Sequence, residues 1–103
     1  MDKVVTYVAQ RAALCSGIDR VVLFGSRARG DATPRSDYDF AIYTDAIPHA
    51  EWSRWCLDTA DSAPTLCNLD LVRASGPITD DLRRAIEAEG VTVYERRKGA
   101  QVG

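Results

Sequence analysis

An apolar run, Arg20-Val21-Val22-Leu23-Phe24, stops at Gly25-Ser26, and ten residues later the chain resumes with Asp37-Tyr38-Asp39-Phe40. Few folds satisfy both ends of this stretch. The run before Gly25 reads as a strand, and glycine lets the chain turn sharply there and brings bare backbone close to a ligand. Ser26 is expected to cap a short helix over Arg27-Ala28-Arg29, with Gly30 as its stop. Such a turn points backbone N–H groups outward, an arrangement that suits phosphate, and Arg27 and Arg29 add positive charge beside it. Arginines two apart point in different directions, so only one of the pair is expected to face a ligand. Arg35 is a further cationic candidate, while Ser36 is expected to hold its loop by bonding to backbone.

Asp37 and Asp39 share one face of the following strand, and Tyr38, Phe40 and Ile42 take the opposite face toward a core. Neighbouring carboxylates repel each other unless a cation lies between them. Hard oxygen ligands on a rigid strand suit Mg²⁺, which completes its shell with phosphate oxygens and water. For Gly25-Ser26 and Asp37 to meet one triphosphate, the end of the first strand must lie beside the start of the second. The two strands are therefore expected to be antiparallel neighbours.

The remaining elements follow from periodicity. Asp2 caps a helix reaching about Cys15, with Val4, Val8 and Ala12 stacked at i+4. Strands are predicted over 18–24, 38–43, 66–73 and 91–94. A helix over 49–61 carries Trp52, Trp55 and Cys56 on one face, a pattern that reads as core. Another begins at Thr79, carries Ile78, Leu82, Ala85 and Ile86 inward, and ends at Glu89-Gly90, where Gly90 is expected to serve as a left-handed stop. Within the third strand Asn68, Asp70 and Val72 share a face, opposite Leu69 and Leu71. His49 starts a helix after Pro48 with no partner in sequence, so histidine chemistry is not expected. The prediction is an α+β fold, a small mixed β-sheet with helices packed on it, with the domain spanning 1–95 and a polar tail over 96–103.

The 103 residues allow one domain with a modest core. A net charge of −2 argues against direct nucleic-acid binding. No apolar run is long enough for a membrane span, and no secretory signal precedes the first helix. Cys15, Cys56 and Cys67 are widely spaced and odd in number, without metal-ligand spacing, which fits reduced thiols and a cytoplasmic location.

Phe24-Gly25-Ser26 followed by Asp37-Tyr38-Asp39-Phe40 resembles the signature of the DNA polymerase β-like nucleotidyltransferases, in particular the minimal nucleotidyltransferases. The resemblance covers about residues 18–95. It implies a nucleotidyltransferase fold and a third carboxylate on a later strand, a place Asp70 fits. It implies Asp37, Asp39 and Asp70 as catalytic and metal-holding residues, two Mg²⁺ ions, ATP as substrate, and Gly25, Ser26, Arg27 and Arg29 at the nucleotide. Minimal nucleotidyltransferases of this size resemble the antitoxin half of HEPN–MNT toxin–antitoxin pairs, in which AMP is transferred to a tyrosine of the HEPN ribonuclease toxin. That resemblance makes a HEPN-like protein the expected partner, in a hetero-oligomer. Larger members of the superfamily grip the acceptor with an extra domain, for which these residues leave no room. Two other readings stand beside it: an antitoxin that blocks its partner by covering it without turnover, and a small-molecule nucleotidyltransferase of the antibiotic-modifying type.

Overall fold

In the computed structural model, which describes residues 2–96, eight elements alternate along the chain: α1 (Lys3–Ala13), β1 (Ile18–Phe24), α2 (Ser26–Arg29), β2 (Tyr38–Thr44), α3 (His49–Asp61), β3 (Leu69–Arg73), α4 (Asp80–Glu89) and β4 (Val91–Glu95). The strands form one mixed sheet in the order β3-β2-β1-β4. β1 runs antiparallel to both β2 and β4, and β2 and β3 are parallel. The parallel pair requires a crossover, which α3 supplies. This is the small mixed sheet expected from the sequence, with the antiparallel first pair.

Alternation along the strands sends side chains to two separate cores. On one face Val21, Leu23, Tyr38, Phe40 and Ile42 pack under α1, through Val4, Val5, Val8 and Ala12, and under α3, through Trp52 and Trp55. The tryptophan rings stack, with centroids 5.9 Å apart, and the Trp55 indole N–H donates to the Arg11 carbonyl at 3.3 Å. On the other face Val22, Phe24, Ala41, Ala74 and Ile86 form a smaller core, edged by Val72, Ile78 and Leu82. The aspartate face is therefore not open along its whole length, because α4 covers part of it.

Local signals set most of the boundaries. The Asp2 carboxylate accepts from the Val4 N–H at 2.7 Å and caps α1, and the Thr79 hydroxyl accepts from the Leu82 N–H at 3.2 Å and caps α4. Three expectations are corrected. Ser26 does not cap α2: Gly25 occupies that position and Ser26 is the first helical residue. β3 starts at Leu69, not 66, since Leu66 is fully exposed in a bend and has no core to enter. Gly90 ends α4 with φ −67° and ψ 139°, an extended conformation, so its value lies in closeness: a Cβ there would meet the Ile86 carbonyl oxygen and Val22 Cγ1. Of the expected tail over 96–103, Arg96 bonds the Cys15 and Ile18 carbonyls at 3.1 and 2.9 Å, and 97–103 lie outside the described residues.

Candidate active site

β1 ends at Phe24, whose register partner on β2 is Asp39. Gly25 then leaves the sheet at φ +77° and ψ −159°, a conformation side chains disfavour. Its carbonyl accepts from the Ala28 and Arg29 N–H groups, both at 3.0 Å, which starts α2 directly at the strand end. Gly30, at φ +89°, closes the single turn. A Cβ on Gly25 would land on Asp39 Oδ2, so the missing side chain is what lets the turn lie against that carboxylate.

Asp39 is also the register partner of Asp70 across the parallel β2–β3 pair. Paired residues in a parallel ladder project to the same side, and Asp37, two residues before Asp39, shares that side. Asp37 and Asp70 are exposed and Asp39 is half-buried. Burial pushes the Asp39 carboxyl above the usual carboxylate range, and the charges of Asp70 and Asp37 push it further, against a smaller pull from Arg29. Crowding of like charges on one sheet face is the condition a divalent cation relieves. Among the described residues no three acidic, histidine or cysteine side chains form a ready-made metal cage. The donor set still fits Mg²⁺, which needs only one or two carboxylates when phosphate oxygens complete its shell.

The family profile of the polymerase β nucleotidyltransferases matches residues 6–99. The chain belongs to that family. Solved structures share its fold. A chain from a toxin–antitoxin complex with AMP-PNP superposes with a TM-score of 0.69 at 17% identity, covering 92% of this chain and 76% of the other. A second comes from a complex of the tri-AMPylated Shewanella oneidensis HEPN toxin with its MNT antitoxin, with TM-score 0.60, 13% identity and coverage of 96% and 76%. A third is a nucleotidyltransferase-like protein of Sulfolobus solfataricus, with TM-score 0.52, 23% identity and coverage of 91% and 78%. No sequence among curated proteins matches significantly.

Within this nucleotidyltransferase fold the two arginines separate. Arg27 turns inward: its guanidinium donates to the Ser36 carbonyl at 2.8 Å and the Pro34 carbonyl at 3.4 Å, and lies 4.0 Å from the centroid of the Tyr38 ring. It ties down the loop that delivers Asp37. Ser36 supports the same loop, its hydroxyl accepting from the Thr33 N–H at 2.9 Å. Tyr38 in turn donates to Asp2 at 2.7 Å. Burial and that bond push the phenol up to about 12. Arg29 turns toward the aspartates and pairs with Asp31 at 3.2 Å and Glu89 at 3.1 Å. Arg35 lines an open groove of about 440 Å³ together with Pro34, Asp37, Leu66, Cys67 and Asn68. His49 lies at the start of α3, away from the aspartates, and shares a hydrogen bond with Ser53 at 3.3 Å.

Sequence reading missed Glu89. Its carboxylate accepts the Gly25 N–H at 3.2 Å while holding Arg29, so α4 reaches into the candidate site from the far end of the chain. The signal was an acid in the last turn of a helix, where the dipole disfavours it.

Proposed function

We propose that this nucleotidyltransferase is a Mg²⁺-dependent protein adenylyltransferase, an antitoxin that transfers AMP from ATP to a tyrosine of a HEPN-type ribonuclease toxin. Family membership supports nucleotidyl transfer. Similarity of fold to chains from toxin–antitoxin complexes, one with AMP-PNP and one with an AMPylated HEPN toxin, supports the acceptor class. The observation that carries the reading is the convergence of Asp37, Asp39 and Asp70 on one sheet face beside the Gly25 turn.

In this reading Gly25, Ser26 and Arg29 receive the triphosphate, and Arg27 acts indirectly by fixing the loop before Asp37. Asp37, Asp39 and Asp70 would hold Mg²⁺, which supplies charge stabilisation at the attacking and leaving oxygens of an in-line displacement. Asp70, exposed on the strand next to Asp39, takes the proton from the acceptor phenol. The phenol oxygen then bonds to the α-phosphorus, the bond to the β-phosphate breaks, and pyrophosphate leaves. A protein acceptor brings its own surface and places its hydroxyl beside the α-phosphate, which gains the proximity that an open, exposed site lacks.

The test is to mix the full chain with a co-encoded HEPN-like protein, ATP and Mg²⁺ and to read intact masses. The expected result is one or more AMP units on a tyrosine of the partner, abolished by EDTA and by Asp39→Asn. A stable complex without added AMP points to steric blocking instead. Efficient adenylylation of a small hydroxylated compound without any partner points to a small-molecule enzyme.

A further inference from the structure

The Glu89 carboxylate stands in an electrostatically poor place for a helix and a good one for an anion. It ends α4, where the carbonyl end of the helix repels negative charge, and no basic residue in that turn offsets it. Two donors from the other end of the chain hold it instead: the Gly25 N–H at 3.2 Å and the Arg29 guanidinium at 3.1 Å. An amide N–H beside a guanidinium is a donor pair suited equally to a carboxylate or a phosphate oxygen. The Glu89 side chain is only 26% exposed. Its backbone is placed firmly, because Ile86 is buried against the β1–β2 face and Gly90 approaches Val22 too closely to admit a side chain. The contact is thus a product of how α4 docks, not of a long side chain ranging over the surface.

We propose that Glu89 is a built-in competitor for nucleotide phosphate: its carboxylate holds the Gly25 N–H and Arg29 in place of a phosphate oxygen and so sets the affinity of the site for ATP. This rests on the reading that Gly25 and Arg29 receive the triphosphate. One N–H proton cannot serve both anions well, so an arriving triphosphate displaces Glu89 by rotation of its side chain, with no change in the fold. Glu89 also adds to the negative charge around Asp39 that a triphosphate must overcome, since its field acts on that carboxyl together with those of Asp37 and Asp70. The cost of ejecting it is subtracted from the affinity of every nucleotide, whatever its base.

Calorimetric titration of the full chain with Mg·ATP, and separately with Mg·tripolyphosphate, tests this on wild type, Glu89→Gln and Glu89→Ala. Glutamine keeps the shape and a weaker acceptor but no charge, and alanine removes both. Affinity for both ligands is expected to rise from wild type to Gln to Ala, by about tenfold at the end of the series, the scale of one charge-assisted hydrogen bond. Unchanged or weaker binding by the Gln variant, with its thermal midpoint retained, overturns the competitor role and makes Glu89 a positioning residue for the Gly25 turn. If wild type binds Mg·ATP and both variants bind it equally, only the Glu89 proposal falls. If no form binds either ligand, the nucleotide reading falls and takes this proposal with it.

Discussion

The parallel strands β2 and β3 have a hollow at each end, and the two differ in how their charges are answered. At the C-terminal end, a hollow of about 640 Å³ lies among Thr44, Asp45, His49, Trp52, Arg73 and Ser75. It is the larger of the two, yet its cation is satisfied. Arg73 donates to Thr44 Oγ1 at 2.9 Å and to the Ile47 carbonyl at 2.8 Å, and its guanidinium lies 5.7 Å from the Trp52 ring centroid. At the N-terminal end the groove is smaller, about 440 Å³, but Asp37 opens into it, with Asp39 and Asp70 close by on the same face. Asp70 and Asp37 add to the burial that disfavours the Asp39 charge, and no lysine or arginine forms an ion pair with the three among the described residues. Arg73, bonded through Nε and Nη2, ties β3 to the β2–α3 turn, whereas crowded carboxylates are groups still able to bind a cation.

The largest expected contrast comes from replacing one charge at each end. Asp39→Asn should lower AMP transfer by at least about a thousandfold, the scale of losing several kcal/mol of metal-dependent stabilisation. Its thermal midpoint should stay level or rise, because burial and its neighbours disfavour the Asp39 charge in the fold. Near-normal transfer by a folded Asp37→Asn/Asp39→Asn double variant would remove the basis for contrasting the two ends.

Gly25→Val should come next. The added Cβ meets Asp39 and the residue is forced to φ +77°, a strain of roughly 1–3 kcal/mol. Mg·ATP affinity of the folded variant should fall about tenfold or more, in addition to that loss of thermal stability. Calorimetry showing unchanged affinity would place the phosphate cradle elsewhere.

Arg73→Met should do the reverse of Asp39→Asn. Losing its bonds to Thr44 and Ile47 is expected to cost roughly 1–3 kcal/mol in denaturant melts, with transfer per folded molecule unchanged. A comparable drop in specific activity would mean the two ends are coupled.

The smallest effect belongs to Tyr38→Phe, which removes the 2.7 Å bond to Asp2, about 1 kcal/mol. Its pH dependence has a defined sign. Burial opposes the Asp2 charge, but the Tyr38 bond and the Val4 and Val5 N–H groups outweigh it and lower its pKa below 3.8. The Asp2 contribution is therefore present above 3.8 and fades as pH falls through the lowered value. Tyr38, raised from 10.0 to about 12, contributes fully below 10 and fades as pH rises toward 12. The stability gap between wild type and Tyr38→Phe should be widest between those limits, and a gap constant with pH would show that the bond does not form.

Features that depend on near neighbours were legible in the chain alone. Alternation placed Asp37 and Asp39 opposite Tyr38 and Phe40, the Asp2 and Thr79 caps fixed two helix starts, and the Gly25 turn followed from the need for a residue without a side chain. The antiparallel β1–β2 pair followed from asking both ends of one short stretch to reach the same ligand. Tertiary structure decided what depends on distant neighbours. Arg27 and Arg29 look alike in sequence, but one faces the Tyr38 ring and loop carbonyls while the other faces Glu89. Ser26 reads as a cap, yet the glycine beside it takes that position because β1 must end against Asp39. The Gly25–Glu89 contact joins residues 64 apart. It exists because burial of Ile86 and the close approach of Gly90 to Val22 set the end of α4 over the β1 terminus. No local pattern encodes that placement; packing of one apolar stripe on one sheet face does.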